Sequence, residues 1–261
     1  MNAFGKLRYF STGVDSRPVD LTIVVPCLNE SENIETILNE IRTVISGETF
    51  ATEIVVVDDQ SDDTTYEVAR EWARKNDTAL AVQVITRPLR RRGYGAVVRH
   101  GIVYGRGRYC IPVAADGVDP IQLIPRLYEE MEKGAFVAQC SRYIREGDDR
   151  TIPFKYKFCQ FFFRLGVRIA LAQNIPDSTY AFKMFRRREM LAVSLSQNRF
   201  SISPEITFKA ILMGGKIVYV PGAQGVRSRG VSKFKFYKEG LGYGYCLARA
   251  LLHRLGLVLW F

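Results

Sequence analysis

The sequence holds two histidines, His100 and His253, isolated from each other. Both are read as structural or solvated rather than catalytic. Its five cysteines (Cys27, Cys110, Cys140, Cys159, Cys246) are odd in number and scattered. No pair has metal-ligand spacing, so buried free thiols in a reducing compartment are expected. No run of about 18 uncharged apolar residues exists, which excludes a spanning helix. The apolar stretch at 255–261 is too short to span. No basic segment followed by an apolar run stands near residue 1, so no signal peptide is expected. Internal repeats and low-complexity linkers are missing as well. The loop after the first predicted strand, Pro26-Cys27-Leu28-Asn29-Glu30, lacks the glycine fingerprint of simple dinucleotide-binding folds. No phosphate loop ending in Gly-Lys-Ser/Thr occurs. Gly93-Tyr94-Gly95 is a lone glycine pair, read as a tight turn before a helix. No nucleic-acid recognition motif is found, which argues against a nucleic-acid partner.

What is there is a chain of 261 residues, 47% hydrophobic and 25% charged, the balance of a globular fold. The net charge of +10 is the unusual quantity. Residues 1–86 hold 7 Lys and Arg against 15 Asp and Glu, a balance of −8. Residues 87–261 hold 30 against 12, a balance of +18. An acidic front and a basic back call for an anionic ligand of a particular kind rather than a generic polyanion.

Apolar runs and helical spacings alternate along the first half. Residues 1–19 read as an irregular, polar lead-in. Residues 21–26 form an apolar run ended by proline, a buried strand. Ser31 is placed to cap a helix over 32–46, in which Ile34, Ile37, Leu38, Ile41 and Ile45 share a face. A strand over 53–57 ends in Asp58-Asp59, and Ser61 or Asp62 caps a helix to about 76. Strands near 81–86 and 109–114, a helix over 93–104, a helix over 121–133 and a strand near 135–140 follow. This alternation predicts an α/β fold with a mainly parallel sheet and helices on both faces. Ligands of such sheets sit at the carboxyl ends of strands. Asn29, Glu30, Asp58, Asp59 and Asp116 fall there. Asp58 has a second reading as the cap of the next helix.

Beyond residue 145 the pattern changes. Residues 153–174 carry Phe154, Phe158, Phe161, Phe162, Leu165 and Ile169 among Lys155, Lys157, Arg164 and Arg168. Helical spacing gives an aromatic face flanked by cations, which suits an interfacial helix as well as an ordinary packed one. Residues 237–261 again mix glycines, aromatics and basic residues.

The blocks Val24-Val25-Pro26-Cys27-Leu28-Asn29-Glu30 and Val55-Val56-Val57-Asp58-Asp59-Gln60-Ser61-Asp62-Asp63-Thr64 resemble the family 2 glycosyltransferases of the GT-A fold. Arg87…Gly93-Tyr94-Gly95-Ala96, Ser141-Arg142-Tyr143 and Asp177-Ser178-Thr179-Tyr180-Ala181-Phe182-Lys183 continue the resemblance. Val220-Pro221 and Arg227…Ser232-Lys233 complete it over about residues 21–233, the later segments being similar to the polyprenyl-phosphate mannose synthase branch. The resemblance implies a GT-A domain over 21–233, with a nucleotide half to about 120, an acceptor half after it and a membrane-associating helix over 234–261. It implies that Pro26, Leu28, Glu30, Val57, Asp58, Asp59, Ala115 and Asp116 hold the nucleotide. The family's tyrosine stands as Leu28 here. Arg142, Arg227 and Lys233 are implied to grip the diphosphate and a lipid phosphate.

The departure is at the fourth strand. The family carries Asp-x-Asp-x-Gln, which binds Mg2+ or Mn2+, whereas this chain reads Ala114-Ala115-Asp116-Gly117-Val118-Asp119. Asp116 alone stays in register as a metal ligand, with Asp119 as a further candidate. A cation held through one carboxylate, phosphates and waters is weaker than a full cage.

The expected activity is inverting transfer of a mannose-like hexose, from GDP-mannose first of all, to a polyprenyl phosphate at the cytoplasmic face of a membrane. Asp116, Arg142, Arg227 and Lys233 are the expected catalytic set. Two alternatives stand beside it. One is transfer to a hydroxyl, with Glu205 or Asp177 as general base. The other is nucleotide-sugar binding without catalysis.

Overall fold

The computed structural model describes residues 8–12, 18–76, 80–88, 92–226 and 236–261. Eight strands form one sheet: β1 (Tyr9–Thr12), β2 (Leu21–Cys27), β3 (Thr52–Asp58), β4 (Ala81–Thr86), β5 (Tyr109–Pro112), β6 (Val137–Ser141), β7 (Lys183–Arg186) and β8 (Ile217–Pro221). Their spatial order is β1-β4-β3-β2-β5-β7-β6-β8. Pairs β2–β3, β3–β4, β2–β5 and β6–β8 are parallel, while β1 and β7 run antiparallel to their neighbours. The mainly parallel sheet expected from the sequence is present.

The central strands read as continuous apolar runs because both of their faces are covered. Along β2 and β3, Leu21, Ile23, Val25, Ile54 and Val56 pack into one cluster, and Val24, Val55 and Val57 into another on the opposite face. Helices α1 (Ile34–Ile45), α2 (Thr65–Lys75) and α4 (Ile124–Glu132) border the first cluster. Helices α3 (Tyr94–Tyr104), α6 (Arg187–Ala192) and α7 (Ile202–Leu212) border the second. All five predicted positions of α1 are buried, each worth about 1.5–3 kcal/mol of transfer free energy. A third layer, α5 (Phe154–Leu171) and α8 (Phe236–Arg254), packs on α7 through Val167, Leu171, Phe208, Cys246 and Ala250.

Three local expectations change. The lead-in is not wholly irregular, because β1 adds an edge strand in register with β4. Ser31 does not cap α1. Its chain start is made by the Glu30 carbonyl, which accepts the N–H groups of Asn33 and Ile34, both at 2.9 Å. Neither Ser61 nor Asp62 caps α2; Asp63 instead accepts the Thr65 N–H at 3.0 Å. Of the five cysteines, none of them in a disulfide, four are buried as expected and Cys159 is exposed on α5.

Candidate functional site

The carboxyl ends of β2, β3 and β4 converge on two loops that hold each other. Asn29 and Gln60 both adopt the left-handed conformation, with φ of 52° and 59°. Asparagine tolerates this region better than most residues. Asn29 donates its N–H to Ser61 Oγ at 2.9 Å and accepts the Asp62 N–H at 2.8 Å. Glu30 is buried, with its N–H on Thr65 Oγ1 at 2.8 Å and its carboxylate accepting Asn33 Nδ2 at 2.9 Å. Pro26 and Leu28 are half-buried on the same rim.

The two aspartates of β3 do different work. Asp58 accepts the Ser61 N–H at 3.2 Å and the Ser61 hydroxyl, so its carboxylate shapes the turn. Asp59 takes Arg87 Nε at 3.0 Å on one oxygen and the Gly93 N–H at 2.9 Å on the other. Burial raises both carboxyls above the ordinary range, against the hydrogen bonds that favour the charged form. Arg87, which the sequence reading left without a role, is therefore the buried partner of Asp59. Its sequence signals were its place one residue beyond β4 and its part in the family resemblance, neither of which pointed to Asp59. Val57 does not line a nucleotide surface through its side chain, which is fully buried toward α3.

Gly93 and Gly95 open α3 without cradling an anion. A Cβ on Gly93 would stand 2.3 Å from the Asn198 carbonyl oxygen, and one on Gly95 2.4 Å from that of Gln197. The pair exists for close approach of backbone to backbone.

Val113 extends the β5 ladder by donating its N–H to Val24 O at 2.8 Å, and the acidic loop follows. Asp116 is half-buried, with Oδ1 accepting the Val118 N–H at 3.3 Å. Ala115 is buried in the core. Asp119, the further candidate for a metal ligand, is turned back toward its own loop. Its Oδ2 accepts the Ala114 N–H at 2.7 Å, with Tyr180 alongside. Burial pushes its carboxyl up to about 6.

In the second half Arg142 lies at the end of β6. It forks onto Asp177 (Nε to Oδ2 2.8 Å, Nη2 to Oδ1 3.2 Å) and reaches Gln224 Oε1 at 3.1 Å. Its guanidinium sits 4.4 Å above the Tyr180 ring. Thr179, a neighbour of Arg142, also accepts Gln160 Nε2 of α5. The Gly225 N–H donates to Val118 O at 2.8 Å, tying the acidic loop to the segment that precedes the basic motif. Arg227 and Lys233 themselves lie outside the described residues.

A family model described as "Glycosyl transferase family 2" matches residues 22–190, a span that contains both clusters except Gln224 and Gly225. The chain belongs to glycosyl transferase family 2. A dolichol-phosphate mannosyltransferase of Pyrococcus furiosus is 33% identical over 217 residues, 82% of this chain and 59% of that protein. The chain thus spans little more than half of that relative's length. A bactoprenol glucosyl transferase of Shigella phage SfX is 27% identical over 84% of this chain and 68% of its own. Among solved structures, glucosyl-3-phosphoglycerate synthase from Mycobacterium tuberculosis, in complex with Mn2+, UDP and glucosyl-3-phosphoglycerate, superposes with a TM-score of 0.62 at 17% identity. That match covers 92% of this chain and 81% of the other, and it shows the fold, GT-A.

The described side chains of this family member are too few to cage a divalent cation by themselves. Hard cations of this kind take about six or more oxygens. Here Ala114 and Val118 offer no side-chain oxygen, and Asp119 is committed to the Ala114 N–H. Among the described residues no group of three His, Cys, Asp or Glu side chains is placed to hold a metal ion.

The outward face of α5 exposes Phe154, Phe158, Phe161, Phe162, Leu165 and Ile169. Leu255, Leu257 and Leu259 are exposed after α8. No helix among the described residues is long and apolar enough to cross a membrane. His100 is half-buried in the α3 layer, and His253 accepts the Trp260 N–H at 3.1 Å. Both are structural, as expected.

Proposed function

We propose that this family 2 glycosyltransferase transfers a hexose from a nucleoside-diphosphate sugar to the phosphate of a polyprenyl lipid, inverting the anomeric centre. The observation that carries the reading is α5. Its inner side joins the Arg142 cluster through Gln160 and Thr179, and its outer side is a bare aromatic face. A lipid phosphate near Arg142 would have its chain laid along that face.

In the proposed step an oxygen of the lipid phosphate attacks the anomeric carbon. The bond from that carbon to the diphosphate breaks, and the nucleoside diphosphate leaves with the electron pair. A phosphate monoester is already ionised at neutral pH, so no general base is needed. This matters because the two carboxylates considered as bases are committed. Both Asp177 oxygens face Arg142, and buried Glu205 accepts the N–H groups of Ser196 and Gln197. Positioning and charge stabilisation then carry the catalysis. Arg142, Arg227 and Lys233 are proposed to meet the phosphate charges. Asp116, Glu30, Asp59 and the Pro26–Leu28 rim are proposed to border the nucleotide, with Asp58 and Ala115 shaping the loops behind them.

GDP-mannose is the proposed donor, supported by the identity to the Pyrococcus furiosus mannosyltransferase, and UDP-glucose is the competing one. The proposed site of action is the cytoplasmic face of a membrane, with the protein held peripherally. Free thiols are compatible with that reducing side. The test is transfer of label from GDP-mannose or UDP-glucose in vesicles containing dolichyl or undecaprenyl phosphate. A lipid-linked hexose phosphate is expected. Transfer only to soluble glycans would overturn the reading.

A further inference from the structure

The loop after β5 carries its own clasp. Asp119 Oδ2 reaches back five residues to the Ala114 N–H at 2.7 Å, while the Asp119 carbonyl accepts the Ile121 N–H at 2.8 Å. Val118 is fastened from outside by the Gly225 N–H at 2.8 Å, and Asp116 folds onto the Val118 N–H. The shape of residues 114–119 is therefore set by hydrogen bonds within the chain. A carboxylate on a buried N–H makes a strong, charge-assisted bond. To turn Oδ2 toward an ion, Asp119, itself only 9% exposed, would give up its bond to the N–H of half-buried Ala114. A donor shielded from water is costly to leave unpaired. The remaining acidic side chain, Asp116, is one carboxylate where a hard cation takes several oxygens.

We propose that the Asp119 carboxylate, and not a divalent cation, sets the shape of this loop, and that the chain binds a nucleoside diphosphate without a protein-held metal ion. The inference rests on the transferase reading, since it concerns the diphosphate of the same donor. Its charge falls to protein cations. Arg92, whose half-exposed guanidinium is held at 2.6 Å by Gln60 O beside the β3 end, is a described member of that set. Asp119 is a positioning residue in this scheme. It acts on the diphosphate only through the loop.

The experiment is calorimetric titration of the full chain with GDP and with UDP, in EDTA and in Mn2+. Electron paramagnetic resonance of Mn2+ mixed with the chain alone is recorded in parallel. The affinity for the preferred diphosphate should differ by less than about threefold between the two buffers, and the chain alone should leave Mn2+ in its aqueous form. Asp119→Ala should weaken binding by about fivefold equally in both buffers, and Asp119→Asn should recover most of it, because an amide oxygen accepts the same N–H. Tightening by Mn2+ of about tenfold or more on the unaltered chain would overturn the proposal and leave the transferase reading standing. A loss in Asp119→Asn that appears only with Mn2+ would overturn it too. Binding of neither diphosphate in any buffer would overturn both.

Discussion

The two halves of the sheet solve opposite problems with one layered plan. In the first half, helices lie directly on the sheet and bury their whole apolar stripe, as α1 does with Ile34, Ile37, Leu38, Ile41 and Ile45. The strand-end carboxylates there are tied down by Ser61, Arg87 and Gly93. In the second half, α5 and α8 pack on α7 and on each other, one layer further out. Among the described residues nothing covers the outer side of α5, which leaves Phe154 81% exposed and Ile169 63%. Exposed aromatics in such number on one helix mark an interaction surface rather than scattered surface residues. The lesson is that distance from the sheet, more than composition, decides which apolar faces stay exposed.

The comparison can be broken first at the buried pair of the second half. Arg142→Leu strands the Asp177 carboxylate, which is wholly buried. A loss of about 3–5 kcal/mol in urea unfolding is expected, largely restored in Arg142→Leu/Asp177→Leu. A loss below about 1 kcal/mol would mean that the pair behaves as a surface bridge. Next comes the joint between the halves. Gly95→Ala drives a Cβ into the Gln197 carbonyl and should cost about 1–3 kcal/mol by thermal unfolding. Gly244→Ala in α8, with no atom within 4 Å, should be neutral or stabilising by up to about 1 kcal/mol.

Lys183 sharpens the contrast through pH. Its ammonium donates to Ser178 O, Ser203 O and Thr207 Oγ1, and burial, opposed by Asp177, holds its pKa at about 7 instead of 10.5. Between those values the unfolded chain binds a proton that the folded chain has released. Stability therefore rises with pH across that window, by at most about 1.4 kcal/mol per unit, and the contribution is lost as pH falls through 7. Urea midpoints at pH 7 and pH 9 should show a flatter slope for Lys183→Met than for the unaltered chain. The smallest effect on stability is expected on the bare face. Phe158→Ser/Phe162→Ser should stay within about 0.5 kcal/mol. The same variant should lose sedimentation with anionic phospholipid vesicles, and unchanged sedimentation would detach α5 from the lipid.

The central strands and α1 were legible because burial on one or both faces leaves a period or a run in the sequence. Helix α7 was not. Ten of its eleven residues are buried, among them Ser203, Glu205, Thr207 and Lys209, so no polar face exists to betray it. Glu205 and Lys209 pair inside the protein at 3.3 Å, and read one at a time they look like surface residues. Strand β7 begins with buried Lys183 and ends with Arg186, which hides it in the same way. At the site, Asp58, Asp59 and Asp116 were found as residues because strand ends mark them, and Arg142 through the family resemblance. Their partners were not. The bond of Arg87 to Asp59 and of Gln224 to Arg142 joins residues far apart in sequence, and no local pattern encodes such pairs.

Strand β7 has a consequence for synthesis. Among the described residues it is the only link within the sheet between β5 and β6, and it comes later in the chain than both. While the chain emerges from the ribosome, β5 is available early with one edge open, and that edge stays open until Lys183–Arg186 has been made. The two halves therefore cannot mature one after the other as separate units, although chains of several domains commonly do. The aromatic helix α5 is made during that interval, before the strand that closes the sheet beneath it.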